Sequence, residues 1–356
     1  MSCRYGVGPG LAVCKALLFS SLWLSSIAPT CGAHFDAASP YSLTQQYQFV
    51  AKGSPGSVAV SPDGGLIVVG GEEVHVWNPR LGREVATFSD ENGYITEMKF
   101  SPDGRWLVTG SYDEDGGPGA VMVWNVHTRK RAVTLIKGHG IGAIAISADG
   151  KLVAAASASD YGQNYVWVWS LRSHKLIMKH AGYVSHLDFS PDSHSMALRD
   201  KQGIRVLDIS SRRTQHYIGF PLKSKQTQPV NALWFSDPKS VMVVSGNRLT
   251  PYDISTGRWH AVITIPETVS TMCRVPGRSE VVVSGRDLSI VRGEIGSPTV
   301  SVWDIKTGRR VGHIASSGNS AVAVSADGLT LVIACDRSLD LLNCQTAITI
   351  LRVHRV

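Results

Sequence analysis

The segment Ser-Pro-Asp-Gly and degraded copies of it recur along most of this chain, and no other feature narrows the possible folds so far. Copies begin at Ser61, Ser101, Ser147, Ser190, Ser236, Val275 and Ser325, so the six spacings run from 39 to 50 residues and average 44. A period of about 40–45 residues built from short strands is that of a four-stranded propeller blade. The second copy shows the pattern: Ile95 to Phe100, the turn Ser101 to Gly104, Trp106 to Thr109, Val121 to Trp124, and Ala132 to Ile136. Short apolar runs bounded by turn residues at this spacing read as an antiparallel meander. Gly64, Gly104, Gly150 and Gly328 supply the left-handed backbone position that a tight Asp-Gly turn needs. The expected fold is all-β, a seven-bladed β-propeller of four-stranded antiparallel blades. A large apolar residue closes each third strand, at Trp77, Trp124, Trp169, Leu207, Tyr252, Trp303 and Leu342, where stacked sheets need a bulky filler at a fixed height.

The strings Val-Trp-Asn (123–125), Val-Trp-Ser (168–170), Val-Leu-Asp (206–208) and Val-Trp-Asp-Ile-Lys-Thr-Gly-Arg (302–309) resemble WD repeats, and the resemblance covers about residues 45 to 353. Ser-Pro-Asp-Gly followed by an apolar strand and a Thr-Gly-Arg turn also resembles the YVTN class of bacterial surface and periplasmic propellers, so an exported bacterial-type member is expected. The Gly-His pair of WD repeats survives only at Gly138-His139, and their Asp/His/Ser/Trp tetrad is complete in no blade, so no binding residue is carried over from the family. The resemblance implies closure by pairing of an N-terminal strand, Gln46 to Val50, with the last blade. That would leave Ile348 to Val353 as an extra edge strand or a covering tail.

The ends divide the chain further. Arg4 and Lys15 precede an apolar run from Ala16 to Ala28 that ends in small residues at Cys31, Gly32 and Ala33, the layout of a secretory signal peptide. That run is shorter than the roughly 17–25 residues a spanning helix needs. The reading is a signal peptide over 1–33, a short linker over 34–44 and the propeller over 45–356, with export to a secreted or periplasmic location. Lipid attachment at Cys31 is the alternative. Cleavage after Ala33 leaves Cys273, Cys335 and Cys344, too few and too scattered for a disulfide framework or a zinc site. The net charge of +7 speaks to solubility and weak attraction to anionic surfaces, not to fold.

Function is sought on the loops. Ser111 to Ala120, Ser157 to Tyr165 and Arg286 to Thr299 lengthen the connection between second and third strands, while blades 1, 4, 5 and 7 are expected to make it in a few residues. Loops on a rigid scaffold carry binding, although the same positions also tolerate insertions. The blade 1–3 sector of that face gathers Tyr94, Tyr112, Tyr161, Tyr165 and Tyr183 with Asp90, Glu91, Asp113, Glu114, Asp115 and Asp160. Rigid aromatics beside carboxylates suit a basic peptide or a sugar; the plainer alternative is that the rings cover neighbouring loop edges. Asp113-Glu114-Asp115-Gly116 lacks the further ligands of a calcium loop, and no metal or cofactor is expected.

Turns on the opposite face carry Arg80, Arg83, Arg129 to Arg131, Arg172, Lys175, Arg212, Arg213, Arg258 and Lys306 to Arg310, partly neutralised by the aspartates of the Ser-Pro-Asp-Gly turns. A solvated mixed rim leads there, with an anionic lipid or polysaccharide as the alternative ligand. No run interleaves aromatic and basic residues in the manner of a nucleic-acid site. Nucleophile-elbow, zinc-helix, phosphate-loop and haem-attachment motifs are missing. The expected role is a non-catalytic scaffold for a protein or peptide partner. The alternative is a propeller enzyme of the lactonase or quinoprotein-dehydrogenase type, for which His139, His180, His186 and Asp160 near one another would be the place to look.

Overall fold

A computed structural model describes residues 33–34, 41–52, 56–89, 93–113, 118–157, 163–219, 230–287, 298–315, 320–336 and 345–355. Each repeat folds as a meander whose neighbours in sequence are neighbours in the sheet, because short connections, such as 101–105 and 126–129 in the second repeat, bring each strand back beside the one just made. Blade 1 is Ser57–Val60, Ile67–Gly70, Glu73–Asn78 and Arg83–Ser89, and blade 2 is Tyr94–Phe100, Trp106–Tyr112, Ala120–Asn125 and Lys130–Lys137. Blades 3 to 5 repeat the pattern from Ile141, His186 and Val230. Blade 6 runs from Glu267 to Ala315, and Ala33–His34 adds a short strand against Ile314 and His313 at its outer edge. The first strands of successive blades touch around a closed ring, blade 7 against blade 1 included.

The Ser-Pro-Asp-Gly turns are alike for a physical reason. At Ser61, Ser101, Ser147, Ser190 and Ser325 the buried hydroxyl donates to the Asp two residues on and accepts the backbone N–H five residues on, as in Leu66 N to Ser61 Oγ at 2.8 Å. The same Asp accepts a second backbone N–H, Gly65 N to Asp63 Oδ1 at 3.0 Å. The serine hydrogen bond is the main reason Asp63 and Asp192 titrate below the usual carboxylate range. Gly64 sits at φ 67°, and Ser193 accepts the equivalent φ of 61° in blade 4.

Packing between blades fixes the register. The closing residue of each third strand lies opposite one second-strand residue: Ile67 faces Trp77, Leu107 faces Trp124, Val153 faces Trp169, Met196 faces Leu207, Val241 faces Tyr252 and Val281 faces Trp303. Each of these fillers packs into the apolar cluster shared with the preceding blade; Trp124, for example, stacks on Phe88 of blade 1 at 5.0 Å. The described residues hold seven such clusters, one for each space between blades.

Blade 7 corrects the expected closure. Its strands are Ser320–Val324, Thr330–Asp336, Gln345–Arg355 and, outermost, Tyr41–Lys52. The C-terminal segment is therefore the third strand, in place of the expected edge strand or tail. The N-terminal strand closes the ring on its outer side, from Tyr41 opposite Arg355 to Lys52 opposite Gln345. It starts four residues before the expected propeller boundary at 45. Leu351, opposite Leu331, is the residue at filler height, and it packs into the cluster with blade 6 as the rule requires. Leu342 lies outside the described residues. The second-to-third connection of blade 7 spans 337–344, so it is not a turn of a few residues.

Candidate functional site

Turns in a meander alternate between the two ends of a blade, which gives the propeller two faces of different chemistry. One carries the Ser-Pro-Asp-Gly turns and the third-to-fourth strand turns; the other carries the second-to-third strand loops and the links between blades. On the loop face, Tyr94 and Tyr112 are cross-strand partners at the end of blade 2, their rings 6.1 Å apart. Tyr165 opens the third strand of blade 3 within an aromatic stack: its ring lies 6.0 Å from His139 and 5.6 Å from Trp167, and His139 packs 4.9 Å from Trp167. The Tyr165 hydroxyl donates to Gln163. Tyr183, in the link from blade 3 to blade 4, lines a cleft of about 220 Å³ with His180, Asp200, Lys201 and Arg205.

Two of these rings have a lysine beside them. Lys179 Nζ stands 3.7 Å over the Tyr165 ring and Lys201 Nζ 5.1 Å over the Tyr183 ring, so the chain supplies its own cations to two of the candidate faces. Asp200 accepts the N–H groups of Gln202 and Gly203 and pairs with Arg205 Nε at 2.6 Å, which holds it below the usual carboxylate range against the opposing effect of burial. Asp113 lies at the described base of the blade 2 loop. Asp90, Glu91, Glu114, Asp115, Asp160 and Tyr161 lie outside the described residues.

The histidines have separate settings. His139 is in the aromatic stack, where burial and then the Lys179 charge lower its pKa. His180 is on the outer strand of blade 3. His186 is on the first strand of blade 4, hydrogen-bonded to Ser185 Oγ at 3.0 Å and shifted down by burial.

A group on the first strands was not singled out from sequence. Glu97 Oε2 accepts the Ile144 N–H of the next blade at 2.6 Å, and Asp188 Oδ2 accepts the Phe235 N–H of the next blade at 3.0 Å. Arg274 donates to the Phe235 carbonyl at 2.7 Å, crossing another boundary. Lys99 pairs with Glu97 at 3.2 Å, which raises its pKa, and leaves 51% of its side chain open within the ring of first strands. Burial pushes Asp188 up to about 6 and the Cys273 thiol up to about 12. Repeated in this way, a carboxylate on one inner strand captures an amide of the next, so these charges tie blades together. Among the described residues no group of His, Cys, Asp and Glu is placed to hold a metal ion.

Comparison with known proteins agrees with this architecture. The family described as WD domain, G-beta repeat, matches residues 82–116 and 130–170. The second match begins on the outer strand of blade 2 and ends on the third strand of blade 3, so the sequence repeat is offset from the blade by one strand. That offset is why the first outer strand, Tyr41–Lys52, must complete blade 7. The chain is 31% identical over 140 residues to a periodic tryptophan protein 2 homolog of Dictyostelium discoideum, covering 38% of this chain and 15% of that protein. It is 21% identical over 324 residues to pre-mRNA-processing factor 19 of Oryza sativa subsp. japonica, covering 75% of this chain and 60% of the relative. It is 34% identical over 101 residues to mitogen-activated protein kinase-binding protein 1 of Mus musculus, covering 28% and 6%. The chain thus spans less than two thirds of the length of each of these relatives.

These relatives overturn the expected location. They are eukaryotic proteins, named in two cases for pre-mRNA processing and for binding a protein kinase, which contradicts the expectation of an exported bacterial-type member. The secreted or periplasmic location and the lipid anchor at Cys31 fall with that correction. The segment read as a signal peptide lies outside the described residues except for Ala33.

Proposed function

We propose that this seven-bladed propeller carrying WD repeats is a non-catalytic scaffold that docks a protein partner on the loop face of blades 2 to 4. The observation that supports it most is the asymmetry between faces. The turn face repeats one hydrogen-bonded device, whereas the loop face concentrates the extended connections and the Tyr94, Tyr112, Tyr165 and Tyr183 rings. Rigid aromatics held by their own sheet lose little entropy on binding and bury large areas, the profile of an interface anchor. Lys179 and Lys201 over two of the rings shift the favoured partner from a basic toward a mixed or acidic peptide. The names of a processing factor and of a kinase-binding protein among the relatives suit a scaffold role.

The test is capture of partners from an extract of the native cell, compared by quantitative mass spectrometry. Replacing Tyr112, Asp113 and Tyr161 together with Ala is expected to remove the specific partners at an unchanged thermal midpoint. Replacing Arg212 and Arg213 on the turn face is expected to leave them bound. The reverse pattern would move the working surface to the turn face.

A further inference from the structure

We infer a second, separate binding site: the cleft between blades 1 and 2 on the turn face receives a bulky apolar side chain of an acidic peptide segment. The cleft encloses about 750 Å³, within the usual size of ligand pockets. Its walls are Leu66, Val85, Phe88, Phe100 and Val126, and all but Phe88 are only partly buried although they belong to the core cluster shared by these blades.

The cleft has an identifiable cause. Leu66 directly precedes Ile67, which lies opposite Trp77, while Trp106 directly precedes Leu107, which lies opposite Trp124. Leu66 and Trp106 are thus the same position in successive blades. Between blades 2 and 3 the Trp106 ring meets His174 edge-on at 6.1 Å and packs on the shared core. Between blades 1 and 2 the smaller Leu66 leaves that volume open. The partner position in the turn, His174 in blade 3, is Arg129 in blade 2; both have φ 58°, where the corresponding turns of blades 1, 5 and 6 have Gly82, Gly257 and Gly308. A non-glycine residue in the left-handed region is strained by roughly 1–2 kcal/mol. Here the Arg129 guanidinium reaches back across the cleft to the Val85 carbonyl of blade 1 at 2.7 Å.

Charge identifies the occupant. Arg105 and Arg129 line the cleft, and the exposed Arg80, Arg83, Lys130 and Arg131 stand on the adjoining turns of the same two blades. The opposing Asp63 and Asp103 already accept their own turn's serine hydroxyl and a backbone N–H. The surplus is positive around an apolar slot, which matches an apolar anchor flanked by carboxylates.

The probe is a fluorescein-labelled peptide with one Leu-Phe pair flanked on both sides by glutamates, followed by anisotropy with the full chain. Saturable binding that weakens with salt is expected, with none for the peptide in which lysines replace the glutamates or serines replace Leu-Phe. Leu66→Trp, which installs the residue blade 2 already uses, and Arg129→Glu are each expected to cut affinity about tenfold or more. Arg129→Gly relieves the strained φ and removes the side chain, so it is expected to weaken binding at an unchanged or raised thermal midpoint. Replacing Tyr112 and Asp113 is expected to leave the probe bound. Undiminished binding by folded Leu66→Trp and Arg129→Gly, or no saturable binding of the glutamate peptide, would overturn the assignment.

Discussion

Leu351→Ala is the sharpest test of how the ring closes. Leu351 is 1% exposed and packs with Val275, Val282, Val300, Leu331 and Ile333 between blades 6 and 7. Removing three buried carbons forfeits about 2.4 kcal/mol of transfer free energy, and incomplete collapse of the cavity adds to it, so about 3 kcal/mol is expected within the usual range of about 2–5 for buried leucines. With an unfolding entropy near 2.1 cal/mol/K per residue over about 315 residues, that corresponds to a fall of about 4–5 °C in the thermal midpoint if the propeller unfolds as one unit. The assay is urea and thermal unfolding followed by tryptophan fluorescence and circular dichroism, with Trp124→Ala as the reference for a filler whose register is not in question and Leu342→Ala as the contrast. A midpoint unchanged in Leu351→Ala but lowered in Leu342→Ala would refute the reasoning. It would place the third strand of blade 7 before Cys344 and return 347–353 to the outer edge.

Two further outcomes follow from the same physics. Burial raises the Asp188 carboxyl from 3.8, the value of a free aspartate, to about 6, so the folded state holds the extra proton between those values and stability falls as pH rises through that window. Asp188→Asn, which keeps an acceptor for the Phe235 N–H, is expected to remove roughly 2–3 kcal/mol of that pH dependence; unfolding curves for both proteins from pH 4 to 7 that run parallel would contradict it. Arg212→Gly is expected to raise stability by up to about 1 kcal/mol, because the exposed Arg212 sits at φ 58° where three other blades have glycine, and a lowered urea midpoint would show that its side chain is needed there.

The blade count was legible because in five blades the serine hydroxyl both donates to the turn aspartate and accepts the amide five residues on, so the motif survives there even where Gly is lost, and the spacing alone marks the turns at Ser236 and Val275. The last strand was not legible for an equally local reason. Leu339, Leu341 and Leu342 imitate a third strand in residues 337–344, and only the pairing of Leu331 with Leu351 shows which apolar run the second strand takes as partner. The lysines that stand over Tyr165 and Tyr183 were not legible either. Tyr165 pairs with Ala181, which puts Lys179 at the diagonal position two residues along the neighbouring strand, a relation that exists only once the register is known. The inner-strand charges escaped for a third reason: period-two alternation tells which side chains leave the core, and it does not distinguish bulk solvent from the ring of first strands where Glu97, Lys99 and Asp188 meet amides of other blades.

The two faces also differ in how a sequence can change them. On the loop face the connection between second and third strands carries none of the serine turn, so residues can be added at Asp113 or Gln163 without touching a blade contact, and variety appears as length. On the turn face the Ser–Asp hydrogen bonds fix both length and backbone, and the one freedom left is the size of the residue that follows the turn. Trp106, Leu152 and Ser195 occupy that place in blades 2, 3 and 4, and Leu66 occupies it in blade 1. Leu66 beside Arg129 borders an open cleft, Trp106 beside His174 fills the next space, and Leu152 packs on the core shared by blades 3 and 4, so side-chain volume at this position acts together with the turn residue that faces it. A search for binding sites on such a turn face has to compare residue sizes blade by blade, since loop length carries no signal there.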